Sequence, residues 1–172
     1  MEIFDGLIRR KAVLTYPVLP APPTAVLVPW FRSQGAIRVF AQGWGAEAEA
    51  HRPAAIAATW PQLEALLPLK IESLTHAVIV LARPGDVLLT VEQRQSLWRA
   101  FRVPVFEQII GEGGLLLAAE CEAHAGLHIE SPKLDLDDRP MERAACGCGR
   151  TTPRLRDLAL IEELRSAAAY AR

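Results

Sequence analysis

The sequence predicts an α/β fold: a mostly parallel sheet with flanking helices, then a β-hairpin region, then a C-terminal helix. Three observations carry this expectation. In His76–Ala82 every residue after the histidine is apolar, as expected of a strand buried on both faces, the usual state of a parallel strand. A turn at Arg83-Pro84-Gly85-Asp86 and a capping pattern, Thr90 with Gln93, then open a helix that leads to a second apolar strand at Val103–Phe106. From Gly111 onward this alternation gives way to short strands and turns.

The elements follow in order. Thr15–Pro29 holds Pro17, Pro20, Pro22, Pro23 and Pro29, a density that forbids helix and makes residues 1–23 an extended, proline-rich arm. Thr24–Trp30 and Ala36–Ala41 read as strands. Ala46–Ala58 is alanine-rich and helical in propensity, broken or restarted at Pro53. Pro61 suits the first turn of a short helix, Pro61–Leu67, which Pro68 closes. The helix opened by Thr90 runs to about Phe101, with Leu97, Trp98 and Phe101 on one face. Leu115–Cys121 and Gly126–Glu130 form the hairpin region, and Asp135–Asp138 is an acidic loop. Leu155, Leu158, Ile161, Leu164 and Ala168 then mark an amphipathic helix. No repeat divides the chain, so its 172 residues are expected to form a single α/β domain.

Composition narrows the function classes. With 51% apolar and 23% charged residues the chain has the make-up of a folded globule. Its net charge is −1 with the charges interspersed, which argues against a nucleic-acid partner. Apolar runs such as Ala77–Ala82 fall far short of the ~20 residues that span a bilayer, so no membrane partner is expected. The N-terminus places Glu2 and Asp5 ahead of Arg9, Arg10 and Lys11, the reverse of a secretory signal, and a cytoplasmic location follows. Three cysteines, an odd count, favour reduced thiols or metal ligation over a disulfide framework.

Those cysteines carry the strongest chemical signal. Cys146 and Cys148 stand one residue apart in Ala-Cys-Gly-Cys-Gly-Arg-Thr-Thr-Pro-Arg, and Cys121 precedes His124 and His128. Three thiols and an imidazole are the donor set of a tetrahedral Cys3His zinc site with all ligands from protein, hence a structural Zn2+. Gly147 and Gly149 keep the turn small enough for backbone amides to approach the thiolates. The fourth ligand is His128 or His124. Gly126-Leu127-His128 reads as a hairpin that turns the imidazole back towards Cys121, which favours His128. Buried inert thiols and a redox Cys-x-Cys pair are the competing readings, but the redox pair leaves Cys121 and the histidines unexplained.

Three segments in order, Leu89–Gln108, Ala119-Glu-Cys-Glu122 with Gly126-Leu-His128, and Cys146-Gly-Cys-Gly-Arg-Thr-Thr-Pro-Arg-Leu155, resemble the phenylacetate–coenzyme A ligase branch of the adenylate-forming (AMP-binding) enzymes. The resemblance covers roughly residues 76–155. It implies an α/β subdomain and supports Cys121, His128, Cys146 and Cys148 as the metal set. The family's reaction is not implied with it. Residues 1–75 hold no Ser/Thr/Gly-rich phosphate loop ending in lysine, and Glu112, within Phe106–Gly114, lacks the preceding hydroxyl of the magnesium-binding motif. For the nucleotide-binding aspartate only Asp135, Asp137 and Asp138 are available. The small domain carrying the catalytic lysine is expected to be missing.

Other patterns read as structure. Gly43-Trp44-Gly45-Ala46-Glu47-Ala48 matches a dinucleotide-binding turn, but no acidic residue follows at the required distance, so a plain strand-to-helix turn is expected. Gly111–Gly114 reads as a hairpin turn in preference to an anion nest. Glu107, Glu120 and Glu122 are expected to be solvated, and Trp30, Trp44, Trp60 and Trp98 to be core or interface anchors. No catalytic residue or organic cofactor is assigned. The functional expectation is a non-catalytic, zinc-stabilised binding or assembly module, with a homo-oligomer or a protein partner. The alternative is an enzyme or ligand-binding protein that keeps an acyl or coenzyme A pocket near Ala118–Glu122.

Overall fold

The computed structural model describes residues 11–133 and 141–155. The acidic loop over 135–138 and the C-terminal helix expected beyond Leu155 lie outside the described residues, as do residues 1–10 of the expected proline-rich arm.

Among the described residues nine strands form one sheet: β1 (Thr24–Val26), β2 (Ile37–Val39), β3 (Ala55–Ala58), β4 (Ala77–Ala82), β5 (Val105–Ile110), β6 (Leu116–Glu120), β7 (Leu127–Ile129), β8 (Met141–Glu142) and β9 (Arg154–Leu155). Their order is β2-β1-β3-β4-β5-β6-β7-β9-β8. Pairings from β2 through to β5 are parallel, and those from β5 through to β8 are antiparallel. The sheet is therefore mixed, which corrects the expectation of a mostly parallel one. Connection length is the reason. A parallel neighbour needs a crossover of a dozen residues or more. After Ile110 the next strand begins six residues on, across the tight turn Glu112–Gly114, and only an antiparallel return is geometrically open.

Three helices are described: α1 (Ala46–Ala50), α2 (Trp60–Leu66) and α3 (Val91–Phe101). They share one face of the sheet, where Ala48, Leu63, Leu66, Leu97 and Phe101 pack on Leu27, Ile56, Val78, Val80 and Val105. The opposite face carries Val26, Ala57, Ile79, Leu81 and Phe106 and is covered by Leu14, Tyr16 and Phe31. The proline-rich arm is thus a packing layer. Gln108, buried in β5, donates from Nε2 to the carbonyl of Thr15 at 2.8 Å and ties the arm to the sheet.

Two elements differ from the sequence reading in an instructive way. The expected helix over 46–58 stops at Ala50, and Ala55–Ala58 is instead a central strand with all four residues buried. Arg52 adopts a left-handed backbone (φ 47°) and Pro53 follows, so the helix cannot continue. The small side chains then suit a strand sandwiched between two packed layers, and tertiary context overrides alanine's helix propensity. In α3, Leu97 and Phe101 are buried as expected one turn apart, but Trp98 is 52% exposed. The remaining assignments agree in type, with short shifts at their ends. Thr90 accepts from the Gln93 amide while Gln93 Oε1 accepts from the Thr90 amide, the reciprocal cap the sequence announces. Gly111–Gly114 is the hairpin turn expected. Gly114 has φ 81°, and a Cβ there would sit 2.9 Å from the carbonyl oxygen of Trp30. No helix among the described residues is long and apolar enough to cross a membrane.

Candidate metal centre

The antiparallel half of the sheet assembles the cysteines. Cys121 directly follows β6, and the amide of His124 donates to its carbonyl at 2.9 Å, closing the turn into β7. In the β6–β7 register Ala119 faces His128. Residues two apart on a strand share a face, so Cys121 and His128 emerge on the same side of the hairpin. Arg154 of β9 pairs with His128 on the other flank, which draws the segment following Cys146 and Cys148 alongside. That segment turns tightly. The Gly149 amide donates to the carbonyl of Cys146 at 2.9 Å, and the φ of 85° at Gly149 is one that side chains rarely adopt.

One donor atom from each of Cys121, His128, Cys146 and Cys148 lies within 4.8 Å of the other three, close enough to hold a single metal ion. The measured edges are 3.7 Å between the sulfurs of Cys121 and Cys146 and 3.5 Å between Cys148 Sγ and His128 Nε2. A tetrahedral zinc with ordinary Zn–S and Zn–N bonds has S···S edges of about 3.8 Å and S···N edges of about 3.6 Å. Two edges of the group therefore match those of such a site, and the four donor atoms lie close enough together to bind one metal ion. A sulfur separation of 3.7 Å is far too long for a disulfide, and all three cysteines are free thiols.

Burial and hydrogen bonding tune the donors. His128 has no exposed surface, Cys121 and Cys146 are buried, and Cys148 is partly accessible. The hydroxyl of Thr152 lies 2.8 Å from His128 Nδ1, an outer contact that orients the ring so that Nε2 faces Cys148. The Cys146 thiol is pulled down to about 6, first by the backbone N–H of Cys148 and further by His128, Cys148 and Cys121. Burial pushes the Cys121 thiol up to about 11, against the pull of the Ala123 backbone N–H. The amides that reach the sulfurs thus belong to Cys148 and Ala123. Sequence reasoning anticipated such amides from the glycine-flanked turn but not which ones, nor the role of Thr152, since neither contact has a sequence signature.

His124 stands apart from the group of four. Its Nδ1 lies 3.2 Å from Glu120 Oε1, and its ring stacks on Phe106 with centroids 4.9 Å apart. It belongs to a second polar cluster that sequence reasoning missed. Glu107 and Glu120, expected to be solvated, are 4% and 6% exposed, whereas Glu122 is exposed as expected. Glu120 Oε2 accepts from Arg94 Nη1 and from the Glu107 amide, both at 3.0 Å. Glu107 Oε1 accepts from the Leu89 amide at 2.9 Å, and its other oxygen lies 3.6 Å from Arg94 Nη2. A carboxylate inside the apolar run of β5 was the available hint, since a buried acid requires a partner. The cluster floors a cavity of about 890 Å³ between α3 and the β6–β7 hairpin, with Leu88, Val91, Trp98 and Leu127 among its walls.

Comparison with known proteins gives a likeness of fold. No family model matches the sequence, and no curated protein matches it. Solved structures similar to the chain include 2-hydroxyisobutyryl-CoA ligase in complex with 2-HIB-AMP and CoA, in an open conformation (TM-score 0.54) and in the thioesterification state (TM-score 0.55). A third is the same ligase in the postadenylation state with R3-HIB-AMP (TM-score 0.51). Identity is 14% in each case. The alignment covers 79% of this chain but only 43–44% of the ligase, so the chain spans less than half of that protein's length. The fold of the chain thus resembles part of that ligase.

Proposed function

We propose that the chain is a zinc-stabilised binding or assembly module built on a piece of the adenylate-forming ligase fold, related to the phenylacetate–coenzyme A ligase branch and without the ligase reaction. The observation that carries this reading is the Cys3His group, whose 3.7 Å and 3.5 Å edges suit tetrahedral zinc. Soft thiolates with one imidazole select zinc over hard cations. Cys121, His128, Cys146 and Cys148 would hold the ion, which supplies a cross-link between the β6–β7 hairpin and the 141–155 segment. The two-residue strands β8 and β9 give that segment few ladder bonds of its own, so a metal clamp has a clear structural purpose. Free thiols in this number suit a reducing, cytoplasmic setting. A non-catalytic role rests on the sequence, in which the phosphate loop and magnesium motif of the ligases have no counterpart.

The test is elemental analysis of the purified protein beside a Cys148→Ser variant. About one zinc per chain in the parent and a marked loss in the variant support the reading. No metal in the parent, or undiminished metal in the variant, removes it.

The cavity beside Glu120 favours a second reading, an enzyme or ligand-binding protein with an acyl or coenzyme A pocket near Ala118–Glu122. ATP, coenzyme A and aryl acids should then raise the melting temperature. No shift with any of them rejects that reading.

A further inference from the structure

The four candidate ligands are not equally sheltered. Cys121, His128 and Cys146 are buried. Cys148 is partly accessible, and Gly147, Gly149 and Arg150 around it are exposed. Two hydrogen bonds hold it there. The Gly149 amide donates to the Cys146 carbonyl at 2.9 Å and the Cys146 amide to the Arg150 carbonyl at 3.0 Å, so Cys148 stands at the tip of a closed turn. A purely structural site gains nothing from an accessible thiol, whereas accessibility is what lets an oxidant reach sulfur.

The turn rests against the hairpin that carries Cys121. A Cβ on Gly147 would sit 3.6 Å from the Ala123 Cβ, so the two segments touch. The sulfurs of Cys148 and Cys121 lie within 4.8 Å of each other, and no disulfide involves either. An accessible sulfur with a second thiol in reach is the arrangement in which oxidation ends in a reversible disulfide instead of an irreversible acid. Cys146 is also near, at 3.7 Å from Cys121. A bond from Cys146 to Cys148, however, would close a small strained ring across Gly147, while Cys121 approaches from another strand. The redox-competent pair in this geometry is therefore not the Cys-x-Cys pair of the sequence.

We propose that Cys148 is a site of reversible oxidation by hydrogen peroxide, with Cys121 as the resolving thiol. Cys148 Sγ attacks the peroxide: an S–O bond forms, the O–O bond breaks and water leaves. Cys121 Sγ then attacks Cys148 Sγ: the S–S bond forms, the S–O bond breaks and a second water leaves. The two sulfurs lose two electrons and the peroxide gains them; where the sulfurs start as metal-bound thiolates, solvent supplies the two protons. Cys146 and His128 alone then remain, too few donors for a closed tetrahedral site, and the ion is released. The new bond still joins the hairpin to the 141–155 segment, so that tie outlasts the ion. The oxidation needs only the thiols; the release of an ion rests on the metal reading.

The test treats the full chain, as purified, with hydrogen peroxide and maps its cysteines by digestion and mass spectrometry. The expected product is a Cys121–Cys148 linked peptide pair, two hydrogens lighter than the separate peptides, with Cys146 still open to alkylation. Dithiothreitol should reverse it. Zinc, followed with a chromophoric chelator, should leave in step with the disulfide and rebind on reduction. The same disulfide in protein that held no zinc removes the metal reading and leaves this proposal standing. In Cys121→Ser the Cys148 sulfenic acid should persist and be captured by dimedone, and in Cys146→Ser the Cys121–Cys148 bond should still form. Three thiols left free by peroxide, or Cys148 carried directly to the sulfinic acid in the parent, overturn the proposal. A bond from Cys146 to either of the other two as the main product overturns the assignment of the pair.

Discussion

Removing the Thr152 hydroxyl is the sharpest probe of the proposed metal centre, because it leaves all four candidate ligands in place. Thr152 Oγ1 lies 2.8 Å from His128 Nδ1, and His128 is fully buried. Valine preserves the shape of threonine and deletes only the polar contact. Two effects follow. The ring loses the partner that keeps Nε2 turned to Cys148, 3.5 Å away, and outer contacts of this kind are worth roughly 10–100-fold in metal affinity. Nδ1 is also left without its hydrogen bond, at a cost of about 1–3 kcal/mol in a sealed site. Thr152 itself reaches solvent, so water can enter and partly replace the hydroxyl. The lower end therefore applies, about tenfold, equivalent to about 1.4 kcal/mol. Competition between the protein and a chromophoric zinc chelator measures the constant directly, and Thr152→Ser, which keeps the hydroxyl, should lie within about threefold of the parent. An affinity for Thr152→Val equal to that of the parent would refute the argument that Thr152 positions the ring. An equal loss in Thr152→Ser would show that the methyl group, not the hydroxyl, matters.

Three further predictions concern the frame around the site. Arg94→Met removes the cation shared by the buried carboxylates of Glu107 and Glu120; with the guanidinium a quarter exposed, the loss should be about 3 kcal/mol, at the low end for a broken buried pair, read from the shift of a urea transition. An unchanged midpoint would mean that the cluster is hydrated. Gly114→Ala combines a positive φ of 81° with a Cβ 2.9 Å from the Trp30 carbonyl, and should cost about 1–3 kcal/mol in the same measurement. Third, in the metal-free protein the thiols should make stability depend on pH. Cys146 is lowered from 9.0 to about 6, so its contribution grows as pH rises from 6 to 9 and is lost again on acidification through 6. Cys121 is raised from 9.0 to about 11, so its contribution is complete below pH 9 and is lost as pH rises towards 11. A melting-temperature profile of the metal-free protein minus that of Cys121→Ser/Cys146→Ser should peak near pH 9, and a flat difference would contradict both shifts.

Much of the frame could be read from local rules. The strand at Ala77–Ala82 followed from its apolar run, and α3 from the Thr90–Gln93 cap. Local rules failed where packing outweighed propensity. Ala55–Ala58 is helix-forming by composition yet lies at the centre of the sheet, because only small residues let covering layers approach both its faces. They failed again at Glu107 and Glu120, whose partner Arg94 lies 26 residues from Glu120 along the chain. An isolated acid in sequence looks solvated until a distant cation is folded onto it.

The cysteine pair marks the same division. Residue type and spacing were enough to single out Cys121, Cys146 and Cys148, with one of the two histidines that follow Cys121, as candidate ligands. Spacing could not decide between His128 and His124, because both follow Cys121 within one turn of a hairpin. The β6–β7 register decided it: pairing His128 with Ala119 sends its ring to the side of Cys121, while His124, at the hairpin tip, turns to Glu120 and Phe106. Sequence by itself determined which donor groups the chain carries, because side-chain identity is local. Only the tertiary structure determined which atoms meet, because strand pairing fixes the face on which each side chain stands.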